Sequence, residues 1–291
     1  MGEQAAGDGR LVQLLEDSLA GLAIRGLAVR ITMNETTAAL DCGTLPSGEA
    51  VTAETEMYAA SLTKQLIGAL VAMAGIRVRH LLHHLSGLPE LPTTPENWPT
   101  DNAALLAALR ATTLAPEPPG TRYAYSNVGY ILLAELLATV YGRPVADVAA
   151  ERLFTPLGLR RSRLGGPPRQ MVGYADPPGT IGDGGWWTTV DDVHTWLVAL
   201  NERRVPFDVR RIETGGHLED GTVVPYGWGL GLREMAGERA VIHGGGWHGW
   251  VSQTRRVPVR QMAIALMTHS DDDQAVVALG ERLAQGALGL A

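Results

Sequence analysis

Apolar positions recur along this chain with two periods, and the period changes near its ends. Leu11 to Leu22 (LVQLLEDSLAGL) places apolar residues at helical spacing, whereas Leu27 to Met33 (LAVRITM) and Thr37 to Leu40 read as strands around a turn at Asn34-Glu35. Ser61 to Ala74 (SLTKQLIGALVAMA) predicts a buried helix with serine, a good N-terminal residue, near its start. Val78 to Leu85 predicts a short helix ended by Ser86-Gly87, and Asn102 to Ala111 a helix capped by Thr100 or Asp101. Asn127 to Tyr141 predicts another, closed by Gly142 and Pro144, and Val145 to Phe154 and Val190 to Asn201 follow the same pattern.

The last third changes character. Ala240 to His243, Trp250 to Val257 and Gln261 to Thr268 are short apolar segments separated by Gly, Pro and Arg turns, which predicts antiparallel strands. Asp271-Asp272-Asp273 then caps a final helix, Gln274 to Leu288. Strands near both ends with helices between predict an α/β (α+β) fold: an antiparallel sheet built from both termini and flanked by the terminal helices, with a mostly helical region inserted.

Composition narrows the function classes. The 291 residues suffice for one large domain or two modest ones, and 45% hydrophobic with 19% charged residues is an ordinary globular balance. A net charge of -7 offers no basic field, so a nucleic-acid partner is not expected. The lone Cys42 excludes an intrachain disulfide framework. No apolar run approaches the roughly 20 residues that span a bilayer, so no membrane partner is expected. The start, Met1 to Arg10, is polar without an apolar h-region; the expectation is a cytoplasmic protein, although a processed secreted form would read the same.

One imbalance points to chemistry. Of the 24 basic residues only Lys64 is lysine; the rest are arginine. Arginine keeps its proton in proteins, whereas lysine can give it up. Ser61 lies three residues before Lys64, on the same helical face one turn away. A serine hydroxyl becomes nucleophilic when a neighbouring amine takes its proton. The chain has eight serines, so this spacing arises by chance about 3% of the time and settles nothing alone.

Two further clusters could serve such a nucleophile. In Tyr123-Ala124-Tyr125-Ser126-Asn127, Tyr125 can relay protons, and Asn127 can hold a substrate carbonyl and orient Lys64; alternatively Tyr125 is a core aromatic and Asn127 a helix cap. In His243-Gly244-Gly245-Gly246-Trp247, directly after a strand ending at Ile242, the Gly246 N–H can pair with that of Ser61 as an oxyanion hole; alternatively the glycines make a turn between strands.

Ser61-Leu62-Thr63-Lys64, Tyr125-Ser126-Asn127 and His243-Gly244-Gly245, in this order, resemble the S-x-x-K, Y-x-N and K/H-x-G motifs of the serine β-lactamase and penicillin-recognising family. The likeness is to its class C, D-Ala-D-Ala carboxypeptidase, D-aminopeptidase and β-lactamase-like esterase branch. It extends from about Leu27 to Ser270 and includes His80 to Leu88, Pro119 to Tyr123, Pro156 to Leu159, Gly184-Gly185-Trp186 and Tyr226 to Gly229. The resemblance implies one β-lactamase/transpeptidase-like catalytic domain over 1–291. Its sheet part would be about 1–60 and 205–291 and its helical part about 61–204, with the site in the groove between. It implies an acyl-enzyme on Ser61, with Lys64 and Tyr125 sharing general-base work and Asn127 holding substrate. His243 would replace a lysine, and Ser61 and Gly246 would donate to the oxyanion.

The expected activity is hydrolysis of small-molecule esters or of D-amino-acid amides and peptides. The same acyl-enzyme could pass to an amine, as in an acyltransferase or amide synthase, or the fold could be a non-catalytic penicillin-binding-type receptor. Three departures stand out. The stretch from Lys64 to His80 is short, so either the groove is more open or residues are missing, and 166–180 also looks short. No export signal is visible. His243 with glycines suits esterases, D-amino-acid peptidases and transacylases better than a dedicated β-lactamase.

Two other groups have weaker claims. His80 and His84 share a helical face with His83 near by, but no third ligand completes a metal pattern, so no metal and no cofactor is expected. Trp186, Trp187, Trp247 and Trp250 are candidates to line an aromatic pocket. Asp191-Asp192 reads as a charge pair at a helix N-terminus, and His248 and His269 have no partner that the sequence identifies.

Overall fold

Seven strands pair antiparallel in one sheet. Across it they run Gln4–Gly7, Thr36–Gly43, Gly26–Met33, Met262–His269, Trp250–Val257, Glu238–Trp247 and Gly231–Met235. This is a computed structural model, and it describes residues 4–22, 24–94, 97–166, 177–270 and 272–290. Three strands come from the start of the chain and four from its end, so the centre of the sheet joins the two termini as expected.

The two central strands, Gly26–Met33 and Met262–His269, are buried along their whole length, because helices cover both faces. Strand alternation sorts their side chains. Leu27, Val29, Ile31, Ile264 and Leu266 face the terminal helices Gly9–Leu19 and Asp273–Leu290, which contribute Leu11, Leu15, Leu279 and Leu283. The smaller Ala28, Ala263 and Ala265 face the other way, into a core shared with Val193 and Leu197. Their small size suits the helix Val190–Asn201, which the sequence grouping put with the helical region but which packs on the sheet.

That second core continues into the helical part. The helix Thr63–Ala74 buries ten of its twelve residues, which is why its sequence shows no polar face. A small sheet of Met57–Tyr58, Trp186–Thr188 and Arg163–Leu164 holds its N-terminal end.

The helices Asn102–Ala111, Asn127–Tyr141 and Val190–Asn201 have the bounds that periodicity predicts. Asp101 caps the first through the Ala104 N–H, and Ser126, not Asn127, caps the second through the Gly129 N–H. Elsewhere the structure differs. The helix predicted over Val78 to Leu85 spans only Arg79–Leu82, because His84 adopts a left-handed conformation that turns the chain. The predicted Val145 to Phe154 helix is an α-helix over Val145–Ala149 that loosens into a π-helix over Ala150–Phe154. The short link after Lys64 is closed by Gly75, which ends its helix left-handed, and by Ile76 and Val78, which pack on the core. The Asp271 part of the predicted cap lies outside the described residues, while Asp272 accepts from the Ala275 N–H at 2.9 Å. Most of 166–180 also lies outside them. Among the described residues no single helix is long and apolar enough to cross a membrane.

One buried ion pair ties the helix Val190–Asn201 to the sheet. The Arg256 guanidinium donates to the Glu213 carboxylate and, at 2.9 Å, to Asn201 Oδ1. Removing one partner of such a pair strands the other charge. Glu213→Ala is therefore expected to cost about 3–5 kcal/mol, read as a lowered urea midpoint with unchanged m-value. A loss too small to measure would mean that Arg256 finds water instead.

Candidate active site

The nucleophile candidate begins a helix. Ala59 is pinned by two bonds: its N–H donates to the Trp186 carbonyl at 2.8 Å, and its carbonyl accepts from Ser252 Oγ at 2.8 Å. Ala60 then takes a left-handed φ of 46°, uncommon for a residue with a Cβ, and Ser61 follows at the first helical turn. Thr63 Oγ1 locks that turn by donating to the Ala60 carbonyl at 2.7 Å and accepting from the Trp186 N–H at 3.1 Å.

Lys64 lies one turn on, with no solvent exposure. Its Nζ is 3.0 Å from Ser61 Oγ, 2.9 Å from Asn127 Oδ1 and 2.9 Å from the Asp183 carbonyl oxygen. The last two can only accept. An amine that donates its two N–H groups to them has its lone pair left for the third neighbour, the Ser61 hydroxyl. The same three contacts satisfy an ammonium after it has taken that proton. The site thus holds both states of a general base without rearrangement.

Tyr125 and Asn127 are both brought to Lys64. Asn127 opens its helix, and with Oδ1 held by Lys64 its amide N–H groups are left to meet a substrate carbonyl. Tyr125 presents its ring, whose centroid is 4.9 Å from Lys64 Nζ, and the residue is 40% exposed. Among the described residues its hydroxyl makes no hydrogen bond, so the phenol contacts the amine through its π face rather than through a proton bridge.

His243 and the glycines depart from the predicted turn. The strand does not stop at Ile242 but continues through all three glycines to Trp247, in register with Trp250–Val257. The flanking pair of a two-residue hairpin, here Trp247 and Trp250, is a hydrogen-bonded pair, and pairs alternate from there. Gly246–Val251 is therefore a non-bonded pair, and the Gly246 N–H points away from that neighbour. On its other side the strand Gly231–Met235 pairs only as far as Ile242, so from His243 onward this edge is open. Gly245 faces the nucleophile: a Cβ there would lie 2.4 Å from the Ala59 carbonyl oxygen and 3.0 Å from the Ser61 nitrogen. Absence of a side chain is what lets the open edge lie beside Ser61.

His243 itself is buried. Nδ1 donates to the Gly244 carbonyl at 2.7 Å, which leaves Nε2 as the acceptor for the Tyr226 hydroxyl at 2.9 Å. Burial, and secondarily the charge of Lys64, hold it down to about 3, so it is an uncharged imidazole. It does not supply the fixed positive charge that a lysine at this position would carry.

Several residues that periodicity did not single out complete the site. The Asp183 carbonyl binds Lys64, and its carboxyl is raised by burial. Glu90 accepts from Ser126 Oγ and, at 3.3 Å, from the Val128 N–H. Tyr226 orients His243 and, through its carbonyl, accepts from His83 Nδ1 at 2.8 Å. Two of the three clustered histidines have protein partners: His83 also accepts from Trp228 Nε1 at 3.2 Å, and His84 accepts from the Ser126 N–H at 3.0 Å. Among the described residues no three His, Cys, Asp or Glu side chains converge on a metal position. Trp186, Trp187 and Trp250 are wholly buried core residues rather than pocket walls; only Trp247 is partly exposed, edge-on to Trp98 at 5.7 Å. Asp191 pairs with Arg30, Asp192 accepts from the Arg161 N–H at 2.8 Å, His269 packs on Trp250 and His248 on Trp247.

The histidines make the fold acid-sensitive. Burial is the leading cause that holds His83, His84, His194 and His243 below the ordinary 6.5, to about 2 at His84, about 4 at His194 and about 3 at His243. Each group is lowered on folding, so unfolding takes up protons below about pH 6.5, and stability falls as pH falls through that window. Asp183 and Asp192, raised by burial, act in the opposite sense. Between pH 7.5 and 5.5 His84, His194 and His243 should each cost about 1 kcal/mol before that offset. Urea unfolding should show lower stability at pH 5.5; an unchanged or higher value would mean that the rings are charged or solvated.

Comparison with known proteins places the family and the fold. The D-aminopeptidase of Brucella canis is 27% identical over 292 residues, covering 84% of this chain and 55% of that protein. The D-aminopeptidase of Gluconobacter oxydans is 28% identical over 216 residues, covering 65% of this chain and 40% of that protein. The chain thus spans about half the length of the curated relatives it matches. Among solved structures, D-amino acid amidase from Ochrobactrum anthropi SV3 superposes with a TM-score of 0.79 at 20% identity, over 96% of this chain and 99% of that one. The octameric penicillin-binding protein homologue from Pyrococcus abyssi superposes with a TM-score of 0.76 at 21% identity, over 96% and 78%. These two share the fold. The Beta-lactamase family model matches residues 72–288, beginning just past the Ser61–Lys64 turn, and the chain belongs to that family.

Proposed function

We propose that the chain is a serine hydrolase that forms an acyl-enzyme on Ser61 and acts on amides, esters or short peptides of D-amino acids. The observation that carries this reading is the set of contacts around Lys64 Nζ: two obligate acceptors and one hydroxyl, all within 3.0 Å. Ser61 Oγ gives its proton to Lys64 as it attacks the carbonyl carbon. The N–H groups of Ser61 and Gly246 take the developing oxyanion. Collapse of the tetrahedral intermediate breaks the bond to the leaving group, which receives the proton from Lys64, with Tyr125 beside it. Water then repeats the sequence and releases the acid. The D-amino-acid class rests on the relatives, which are D-aminopeptidases.

Different side chains are assigned to the two ends of the groove. His243 and Tyr125, whose ring centroids are 6.4 Å apart, mark the leaving-group side. His243 is uncharged there, which favours leaving groups without a carboxylate, such as ammonia or an alcohol. The acyl side lies in the direction of Trp247, which shares the strand face of His243 and Gly245 and meets Trp98, itself bonded to Thr180 Oγ1 at 3.1 Å. This pair makes an aromatic wall for the acyl side chain.

Two experiments test the reading. Exposure to a fluorophosphonate followed by intact-mass analysis should show one adduct, on Ser61, lost in Ser61→Ala; Lys64→Arg should slow labelling by about 10²–10⁴-fold because the guanidinium cannot act as a base. Labelling elsewhere, or an active Lys64→Arg, would end it. On D-phenylalanine amide and D-alanine amide, Trp247→Ala should raise KM about tenfold for the aromatic substrate and little for the small one. Equal effects on both would remove the wall from the acyl side.

A further inference from the structure

His84 is the most unusual side chain near the site. It is 1% exposed and carries a left-handed φ of 59°, a conformation unfavourable for a residue with a Cβ. Nδ1 accepts from the Ser126 N–H at 3.0 Å, so the ring proton is on Nε2. Among the described residues that Nε2 meets no hydrogen-bond partner. An unsatisfied buried donor adds to that cost. A phenylalanine would fill the space without the orphan. What it would lack is the acceptor at Nδ1.

That acceptor bears on catalysis through its position. Ser126 is the residue between Tyr125 and Asn127, the two side chains that meet Lys64. The same imidazole lies against Tyr125, with centroids 4.3 Å apart, and is backed by Tyr226 at 4.5 Å and Tyr130 at 5.1 Å. Tyr130 cannot shift easily, since its hydroxyl donates to the Leu82 carbonyl at 2.8 Å. The ring is therefore wedged between a fixed wall and the turn that carries the site.

We propose that His84 is a positioning residue that sets Tyr125-Ser126-Asn127 against Lys64, holding the backbone through Nδ1 and the Tyr125 ring through its face. This rests on the acyl-Ser61 reading. Loss of either hold lets Asn127 Oδ1 and the Tyr125 ring drift from Lys64 Nζ, and the amine loses the partners that orient its lone pair toward Ser61.

Three variants separate the two holds. His84→Asn keeps an acceptor where Nδ1 stands but removes the ring; His84→Phe keeps a ring but removes the acceptor; His84→Ala removes both. The readouts are the rate of fluorophosphonate labelling at Ser61 and kcat and KM on D-phenylalanine p-nitroanilide. Labelling and kcat should fall about 10²-fold in His84→Ala, with KM little changed. His84→Asn should recover about tenfold, the worth of one hydrogen bond, over His84→Ala. Wild-type labelling in His84→Phe, or no gain in His84→Asn, would overturn the proposal. Should the variants fail to fold, nitrogen NMR of wild-type histidines decides. A bare Nδ1 and protonated Nε2 on His84 near neutral pH supports the proposal, and the opposite tautomer or an imidazolium overturns it. If wild type itself is not labelled at Ser61, the acyl-enzyme reading fails first; if it is labelled and the His84 variants match it, only this proposal fails.

Discussion

Three contacts of one nitrogen, Lys64 Nζ, set the conditions that the rest of the fold meets. Ser61 lies a single turn away on the same helix, but Asn127 and Asp183 are 63 and 119 residues distant. Bringing all three within hydrogen-bond reach requires two helices and a loop to be fixed to within a fraction of an ångström. Complete burial of the helix Thr63–Ala74 does part of this, since a close-packed core leaves it no freedom to slide. The Asp183 loop is held from the other side, where the Gly185 N–H donates to the Tyr58 hydroxyl at 3.0 Å and the Trp186 N–H donates to Thr63.

The second condition is an open sheet edge beside Ser61. A sheet edge offers unpaired N–H groups, and proteins usually cover or blunt it. Here the edge strand Gly231–Met235 is shorter than its neighbour, so the last residues of Glu238–Trp247 lack a partner on the groove side. Gly245 permits close approach to Ala59 and Ser61, while Ser252, from the next strand, reaches past it to the Ala59 carbonyl. The Gly246 N–H is thus fixed in direction before any substrate arrives, the kind of donor that costs no reorganisation when charge develops.

What the sequence revealed and what it hid divide along the range of the interactions involved. Helical periodicity located Asn102–Ala111, Asn127–Tyr141 and Val190–Asn201 because propensity and an amphipathic stripe are local properties. Ser61 and Lys64 were legible for the same reason, being one turn apart and unusual in composition. The three glycines misled, since glycine is a turn signal by itself; the ten-residue strand exists because Trp250–Val257 pairs with it, and pairing is not a local property. Asp183 was invisible because its contribution is a backbone carbonyl, which any residue type carries. His84 was read as one of a helical pair, but its left-handed conformation ends the helix and turns the ring toward Tyr125. Trp186, Trp187 and Trp250 showed composition without direction; burial decided their role.

Some of the strain in the fold lies beside the candidate site. Three of the seven non-glycine residues with positive φ among those described lie there: Ala60 precedes Ser61, His84 backs the Tyr125 turn, and His248 forms the hairpin tip next to Trp247. The buried side-chain atoms without a hydrogen-bond partner among the described residues include His84 Nε2 and Asp183 Oδ1, both in the same region. Each such feature costs on the order of 1–3 kcal/mol, comparable to a sizeable fraction of a domain's whole stability. They persist because two extensive apolar cores, one on each face of the sheet, over-determine the backbone around them. A sequence relaxed at these positions would gain stability, and it would do so by letting go of the turns that hold Ser61, Asn127 and the Gly246 edge around one amine.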